Sequence, residues 1–152
     1  MSTTARIDAS PLPRVVTILI VEDNVGDVVL VRQSLLGHSS VKLWYAPDGI
    51  NAMRLLEAPG AKPDMILLDL NLPGMDGRAL LSLLKSHPRL CGIPVIVLTG
   101  SSDPREVRVA YNLHANCYIP KPDDFVHMEE VMHRLVDFWV RTVRLPKVNG
   151  DE

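Results

Sequence analysis

Short apolar runs recur roughly every 25 residues along the chain, and this spacing limits the folds that it can adopt. Helical patterns separate the runs, near residues 26–36, 48–58, 76–86 and 103–113, and a longer one near 124–143 follows the last run. Strands that alternate with helices typically form a parallel sheet covered on both faces. We therefore expect an α/β fold, a doubly wound five-stranded parallel sheet, with strands near residues 15–21, 41–45, 65–68, 95–98 and 116–119.

The length of 152 residues suits one domain with its own hydrophobic core. We expect this domain to span residues 15–143, between a disordered leader at 1–14 and a short tail at 144–152. The longest apolar run is far shorter than the roughly 20 residues of a membrane-spanning helix. The leader also lacks the apolar core of a secretion signal. The sequence therefore predicts a cytoplasmic protein with no membrane partner.

The charge balance argues against binding to nucleic acid. The chain has 16 basic and 18 acidic residues, so it lacks the basic surface that phosphate backbones attract. Cys91 and Cys117 are isolated and show no metal or redox spacing. We expect both cysteines to be buried as small apolar side chains.

Asp69 is the strongest candidate for a functional residue. It follows the run 65–68, which is apolar without alternation and therefore indicates a strand buried on both faces. A turn containing Pro73 and Gly74 comes directly after it. In open α/β sheets, ligands bind beyond the carboxyl ends of the strands. Asp69 would lie at that edge of the sheet.

Two more acids, Glu22 and Asp23, follow the first apolar run and would reach the same edge if the first and third strands are neighbours. Carboxylates that crowd together repel, which is tolerable when a hard cation lies between them. Mg²⁺ is an oxygen-binding cation of this kind. Alternatively, Asp23 or Asn24 could serve only to cap the following helix.

A carboxylate can attack phosphorus and carry the phosphoryl group as an acyl phosphate. Lys121 ends the fifth run and could supply positive charge, and Thr99 ends the fourth run and could donate a hydroxyl hydrogen bond. Alone, Lys121 could be a solvated surface lysine, and Thr99 could make a local turn bond.

The fourth and fifth helical patterns give specific expectations. Asp103 should cap the fourth helix, Pro104 should be its first residue, and Glu106 should complete a capping box. Its inner face should contain Val107, Ala110 and Tyr111. The fifth should bury a stripe of Met128, Val131, Met132, Leu135, Phe138 and Trp139. A second row beside it is either a partner surface or a widening of the core stripe, and it contains Val136, Val140 and Val143.

Together these motifs resemble the receiver domains of two-component response regulators, over about residues 15–143. The resemblance depends on Glu22-Asp23-Asn24, on Asp69 with the turn 72–77, on 98–99, and on Tyr118 with Lys121-Pro122. It implies the flavodoxin-like strand order 2-1-3-4-5. It also implies that Asp69 accepts a phosphoryl group from a histidine kinase. Mg²⁺ would then be held by Glu22, Asp23, Asp69 and the backbone carbonyl of Asn71.

By the same resemblance, Thr99 and Lys121 would contact the phosphoryl group, and Thr99 with Tyr118 would form the switch pair. The Lys121–Pro122 peptide bond would be cis. Two positions depart from the family pattern: His114, which would need a left-handed backbone, and Pro120, which removes a backbone donor.

The chain is similar, more narrowly, to the stand-alone regulators that serve bacterial phytochrome kinases. This resemblance depends on Glu22-Asp23-Asn24-x-x-Asp27 and on the segments 115–119 and 138–146. It implies a homodimer formed through the last helix and tail.

The function expected from the sequence is that of a single-domain response regulator, a signalling protein rather than an enzyme, because only a short tail follows the domain. One alternative is a receiver-like scaffold whose interactions ignore phosphorylation. Another is a Mg²⁺-dependent hydrolase with Asp69 as nucleophile, although Asn71 stands where such enzymes commonly have a second acid.

Overall fold

The structure, a computed structural model, describes residues 14–147 and contains one parallel sheet. Its strand order is β2-β1-β3-β4-β5, which confirms the order implied by the family resemblance. The strands lie within two residues of their predicted positions, at β1 (Val16–Val21), β2 (Val41–Ala46), β3 (Met65–Leu68), β4 (Val95–Thr99) and β5 (Cys117–Pro120). The predicted leader and tail lie outside the described residues, except for residue 14 and residues 144–147.

Each helix begins after an Asn or Asp residue whose side chain accepts a hydrogen bond from a backbone N–H of the first turn. Such capping satisfies donors that the helix itself leaves without a partner. Polar residues after the strands therefore determine where the helices start. The helices are α1 (Val25–Leu35), α2 (Gly49–Glu57), α3 (Gly77–Ser86), α4 (Pro104–Asn112) and α5 (Phe125–Leu135).

The sheet separates two apolar cores. Residues of β1 alternate between them, because Leu19 and Val21 face α2 and α3 while Ile18 and Ile20 face α1 and α5. All of β3 is buried, as the uninterrupted apolar run predicts. The residue after β3 is thereby held on a rigid central strand.

The last helix differs from the continuous helix expected from the sequence. After Leu135 the chain continues as a π-helical segment, Val136–Thr142, which changes the angular spacing of its side chains. Phe138, expected in the core stripe, is 53% exposed as a result. The second row belongs to the core: Val136 is fully buried, and Val140 and Val143 pack against the same cluster.

Helix α4 begins as predicted but lacks the expected capping box. Asp103 caps the helix, but its own N–H donates to Ser101 Oγ (3.1 Å) rather than to Glu106. Ala110 is buried as expected, whereas Tyr111 is 47% exposed. The inner face of α4 is thus narrower than the sequence pattern indicates.

Two further expectations are wrong. Among residues 14–147 no peptide bond is cis, so the Lys121–Pro122 bond is trans. Cys91 is exposed and Cys117 is half-buried, so neither is the buried apolar side chain that was expected. His114 does take the left-handed conformation, with a φ of 71°.

None of the helices within residues 14–147 combines the length and apolar character needed to cross a membrane.

Candidate functional site

Three carboxylates meet beyond the carboxyl ends of β1 and β3. The strands are neighbours, with Val21 paired to Leu68, and the Asp69 N–H donates to the Val21 carbonyl at 3.0 Å. Glu22, Asp23 and Asp69 each offer an oxygen, and these atoms lie within 4.8 Å of one another. The predicted convergence of acids is therefore present in the structure.

Lys121 lies among these acids rather than in solvent. Its Nζ is 2.9 Å from Asp69 Oδ2 and 2.5 Å from Glu22 Oε2, and its side chain is 11% exposed. A third carboxylate, Asp27 in the first turn of α1, approaches the same Nζ at 2.8 Å. The backbone of Lys121 is also fixed, because its N–H donates to the Thr99 carbonyl at 2.7 Å. The surface-lysine alternative is wrong.

The other oxygen of Asp69 is bound from two sides. The Thr99 hydroxyl donates to Asp69 Oδ1 at 2.9 Å, and the Asn71 N–H donates to the same atom at 3.0 Å. Thr99 is 1% exposed and Asp69 is 6% exposed. Thr99 therefore contacts the candidate acceptor directly rather than making only a local turn bond.

Burial and hydrogen bonding shift the pKa values of the two buried acids in opposite directions. Burial raises the pKa of Glu22 to about 7, although its bond with Lys121 opposes the rise. Burial also acts to raise the pKa of Asp69, but the hydrogen bonds from the Asn71 N–H and from Lys121 outweigh it and leave the pKa below its ordinary value. Asp69 is therefore ionised at neutral pH.

The positive charge of Lys121 is also secured by its neighbours. Burial acts to lower the pKa of Lys121, but the hydrogen bonds to Asp27, Glu22 and Asp69 outweigh it and raise the pKa. The charged ammonium group of Lys121 thus lies beside the ionised carboxylate of Asp69 in a largely buried site.

The acidic cluster fits a divalent cation. All three side chains offer carboxylate oxygens, the ligands that hard cations prefer. Glu22 and Asp69 are buried, whereas Asp23 is exposed and leaves the cluster open to solvent. Asn24, by contrast, serves as the cap of α1, with its Oδ1 accepting from the Asp27 N–H at 3.1 Å.

Gly77, the first residue of α3, allows the turn after Asp69 to close. A Cβ atom at this position would lie 2.5 Å from Leu70 Cα and 2.6 Å from the Asp69 carbonyl oxygen. Any larger side chain would displace the backbone that positions Asp69. The sequence motif contained this glycine, but only the structure gives its reason.

A second layer of polar contacts connects the site to α4. Tyr118, on β5, donates its hydroxyl to the Ser101 carbonyl at 2.6 Å. Nearby, Arg78 at the start of α3 forms a 2.8 Å ion pair with Glu106 on α4. Sequence reasoning missed the Arg78–Glu106 and Asp27–Lys121 pairs, because their partners are distant in sequence and no local motif links them.

Comparison with known proteins agrees with this arrangement. Residues 18–133 match the family model of the response regulator receiver domain. The chain is 40% identical over 148 residues to the response regulator Rcp1 of Synechocystis sp., covering 91% of this chain and 97% of that protein. It is also similar to the Mn(2+)-bound form of Rcp1, at 39% identity and a TM-score of 0.80.

A further structural relative is the phosphorylated cyanobacterial phytochrome response regulator RcpA, with 37% identity and a TM-score of 0.82. For both solved structures the alignment covers 86% of this chain and 98% of the other. Residues 18–133, which the family model matches, contain most of β1, the other four strands and the acidic cluster. The chain therefore belongs to the family of response regulator receiver domains.

Proposed function

We propose that Asp69 of this response regulator accepts a phosphoryl group from a histidine kinase. The observation that supports the proposal is the environment of the Asp69 carboxylate. One oxygen accepts from Thr99 and from the Asn71 N–H, and the other contacts the Lys121 ammonium group. These groups can stabilise negative charge that is brought to Asp69.

In the transfer step, a carboxylate oxygen of Asp69 attacks the phosphorus of a phosphohistidine. The new O–P bond yields an acyl phosphate, and the broken P–N bond returns its electron pair to the imidazole nitrogen. The depressed pKa of Asp69 keeps the nucleophile ionised, so no general base is required. Lys121 stays charged and neutralises part of the phosphoryl charge.

Glu22, Asp23, Asp69 and the backbone carbonyl of Asn71 would hold the cation, which we propose to be Mg²⁺. When bound, Mg²⁺ supplies charge neutralisation for the phosphoryl oxygens. Lys121 already contacts Glu22 and Asp69, so the ammonium group and a cation would share these carboxylates.

The added phosphoryl group gives Thr99 a new acceptor. If its hydroxyl turns from Asp69 Oδ1 towards a phosphoryl oxygen, the space beside β4 changes, and Tyr118 can exchange its bond to Ser101 for an inward position. Phosphorylation would then shift a two-state equilibrium. The surface formed by α4, β5 and α5 would carry the signal to a partner.

We propose a phytochrome-type kinase as the phosphoryl donor, and a homodimer formed through the last helix and tail. The similarity to RcpA supports the proposal of a phytochrome-type kinase. The proposal of a homodimer is supported by Phe138, which is exposed on the π-helical segment and in edge contact with Trp139. The protein would act in signalling without turning over a substrate of its own.

Incubation with Mg²⁺ and acetyl phosphate tests the acceptor, with intact mass as the readout. We expect a phosphate-sized gain in the wild-type protein and none in Asp69→Asn. Asp123→Asn removes an exposed carboxylate near Lys121 and should still gain the mass. An equal gain in Asp69→Asn would assign the acceptor elsewhere.

Absence of any mass gain in protein that binds Mg²⁺ would favour the scaffold alternative. Transfer from a purified, phosphorylated phytochrome kinase tests the donor separately. The dimer is tested by light scattering of wild type and Phe138→Ser, which we expect to shift towards monomer.

A further inference from the structure

An apolar groove lies open between α1 and the edge strand β2. It encloses a cavity of about 600 Å³. One wall comes from α1 and the other from alternate residues of β2, all of which point to the α1 side of the sheet. The residues that shape these two walls are Val25, Val29 and Leu36 on one side and Val41, Leu43 and Tyr45 on the other.

The α1 wall is a regular row of side chains left uncovered. Positions 25, 29, 32 and 36 follow the four-three-four spacing that places residues on one face of a helix. Val25 is 71% exposed, Val29 is 42% exposed and Leu36 is 76% exposed. Apolar surface that is grouped in this way commonly marks a binding site.

Among the described residues, the groove contains one positive charge, that of Arg32, and no carboxylate neutralises it. Arg32 completes the α1 row, and none of the ion pairs among residues 14–147 includes it. Within the part of the chain that the structure describes, no acidic residue lines the groove. An anionic group would therefore find a cation here without a competing carboxylate.

His38 is a second polar group in the lining of the groove. The opposite end of the groove, at Tyr45, has a different charge environment. His38 Nδ1 has no hydrogen-bond partner within the described part of the chain. Burial, and then the nearby His133, lower the pKa of His38, so Arg32 is the fixed cation. At the far end the groove is lined by Val25 and Tyr45, which offer no cation, so an anionic head is expected at Arg32.

We propose that this groove binds a small organic anion, with its acidic head at Arg32 and its aromatic or acyl body lying towards Val25 and Tyr45. Val25 and Arg32 are seven positions apart, which corresponds to about 10 Å along α1 and sets the length of the body. The cavity volume is in the range of small-molecule sites.

A second copy of the chain is a poorer occupant. If two α1 helices packed about a two-fold axis at the middle of this row, Arg32 of each copy would approach the other, and like charges would repel.

The test uses two fluorescent probes with similar aromatic bodies, the anion anilinonaphthalene sulfonate and the neutral phenylnaphthylamine. Each is titrated into the full chain and three variants. Val29→Asp places a charge in the groove, and Arg32→Gln removes the cation. Val109→Asp is the matched control, because Val109 on α4 is 40% exposed against 42% for Val29. Circular dichroism establishes that each variant is folded.

We expect the wild type and Val109→Asp to bind the sulfonate saturably at one site, and Val29→Asp to bind either probe more than tenfold more weakly. Arg32→Gln should weaken the sulfonate about two- to fivefold, the effect of a partly exposed ion pair, and leave the neutral probe unchanged. Added salt should weaken only the sulfonate.

Equal binding by Val29→Asp and Val109→Asp would overturn the site. Equal affinity for the two probes in the wild type would overturn the anionic head. A wild-type dimer that Val29→Asp dissociates would assign the groove to a second copy and overturn the ligand.

Discussion

Helices α4 and α5 follow neighbouring strands, β4 and β5, but they are held in place by different forces. On α5, Met128, Met132 and Leu135 are buried in the core shared with α1. On α4 only Ala110 is buried. Burying a large apolar side chain contributes about 1.5–3 kcal/mol to stability. Three such side chains hold α5 in place, whereas α4 has none.

The contacts that hold α4 are polar instead. They include the Arg78–Glu106 ion pair, and the adjoining loop is held by the Tyr118 bond to Ser101. Each such contact contributes on the order of 1 kcal/mol. We therefore expect that a phosphoryl group at Asp69, if the proposed transfer occurs, competes with the contacts of α4 and does not displace the packing of α5. This difference would allow α4, on one side of β5, to move while α5 stays fixed.

The largest expected effect is on the α5 side. Met132→Ala removes a fully buried side chain and should lower the free energy of unfolding by about 2–5 kcal/mol, because it leaves a cavity. Val109→Ala on α4 removes an exposed side chain and should change it by less than about 0.5 kcal/mol. Urea unfolding measures both. Similar losses in the two variants would contradict the comparison.

The next effect concerns the loop before α4. Tyr118→Phe removes the hydroxyl that donates to the Ser101 carbonyl, so the free energy of unfolding should fall by about 0.5–1.5 kcal/mol. Hydrogen exchange should become faster in the loop and in the first turn of α4, with α5 unchanged as the internal control. Faster exchange confined to α5 would reverse the assignment.

The same contrast explains how far the sequence could predict the fold. The five strands follow from uninterrupted apolar runs, and the caps of α1 and α4 follow from Asn24 and Asp103, all of which are local signals. The sheet order came from the family resemblance. The exposure of Tyr111 and Phe138 could not be predicted in this way. For Phe138 the cause is a π-helical segment, which a pattern based on 3.6 residues per turn does not represent.

The contacts of the site likewise fall into those that local sequence signals predict and those that they do not. Asp69, Glu22 and Asp23 could be placed together because parallel strands end at one edge. Thr99 and Lys121 came from the same logic, strengthened by the family resemblance. The Arg78–Glu106 pair joins two helices through long side chains, and neither residue carries a local signal of its partner.

That pair supplies the third prediction. Both side chains are about one-third exposed, so Glu106→Gln should lower the free energy of unfolding by only about 0.2–1 kcal/mol. The effect on α4 should be visible as faster hydrogen exchange there and not in α5. A double-mutant cycle with Arg78→Gln isolates the pair. A coupling energy near zero would remove this contact from the restraints on α4.

The smallest expected effect is a difference in how the stabilisation at the N-termini of α5 and α4 depends on pH. Asp124 caps α5 and its carboxylate also bonds His127, which raises the pKa of His127 above its ordinary value. Stabilisation from a raised histidine pKa is complete below the unfolded value of about 6.5 and is lost as pH rises through the folded pKa. On α4 the cap Asp103 bonds Arg105, which stays charged throughout.

We therefore expect the difference in unfolding free energy between wild type and His127→Gln to shrink as pH rises from about 5.5 to about 8.5. The Asp124 carboxylate cannot produce this change, because its pKa is lowered and it remains ionised over the whole range. Arg105→Gln on α4 should show a difference that is constant with pH. A difference for His127→Gln that grows with pH would show that the histidine does not stabilise the α5 cap in its charged form.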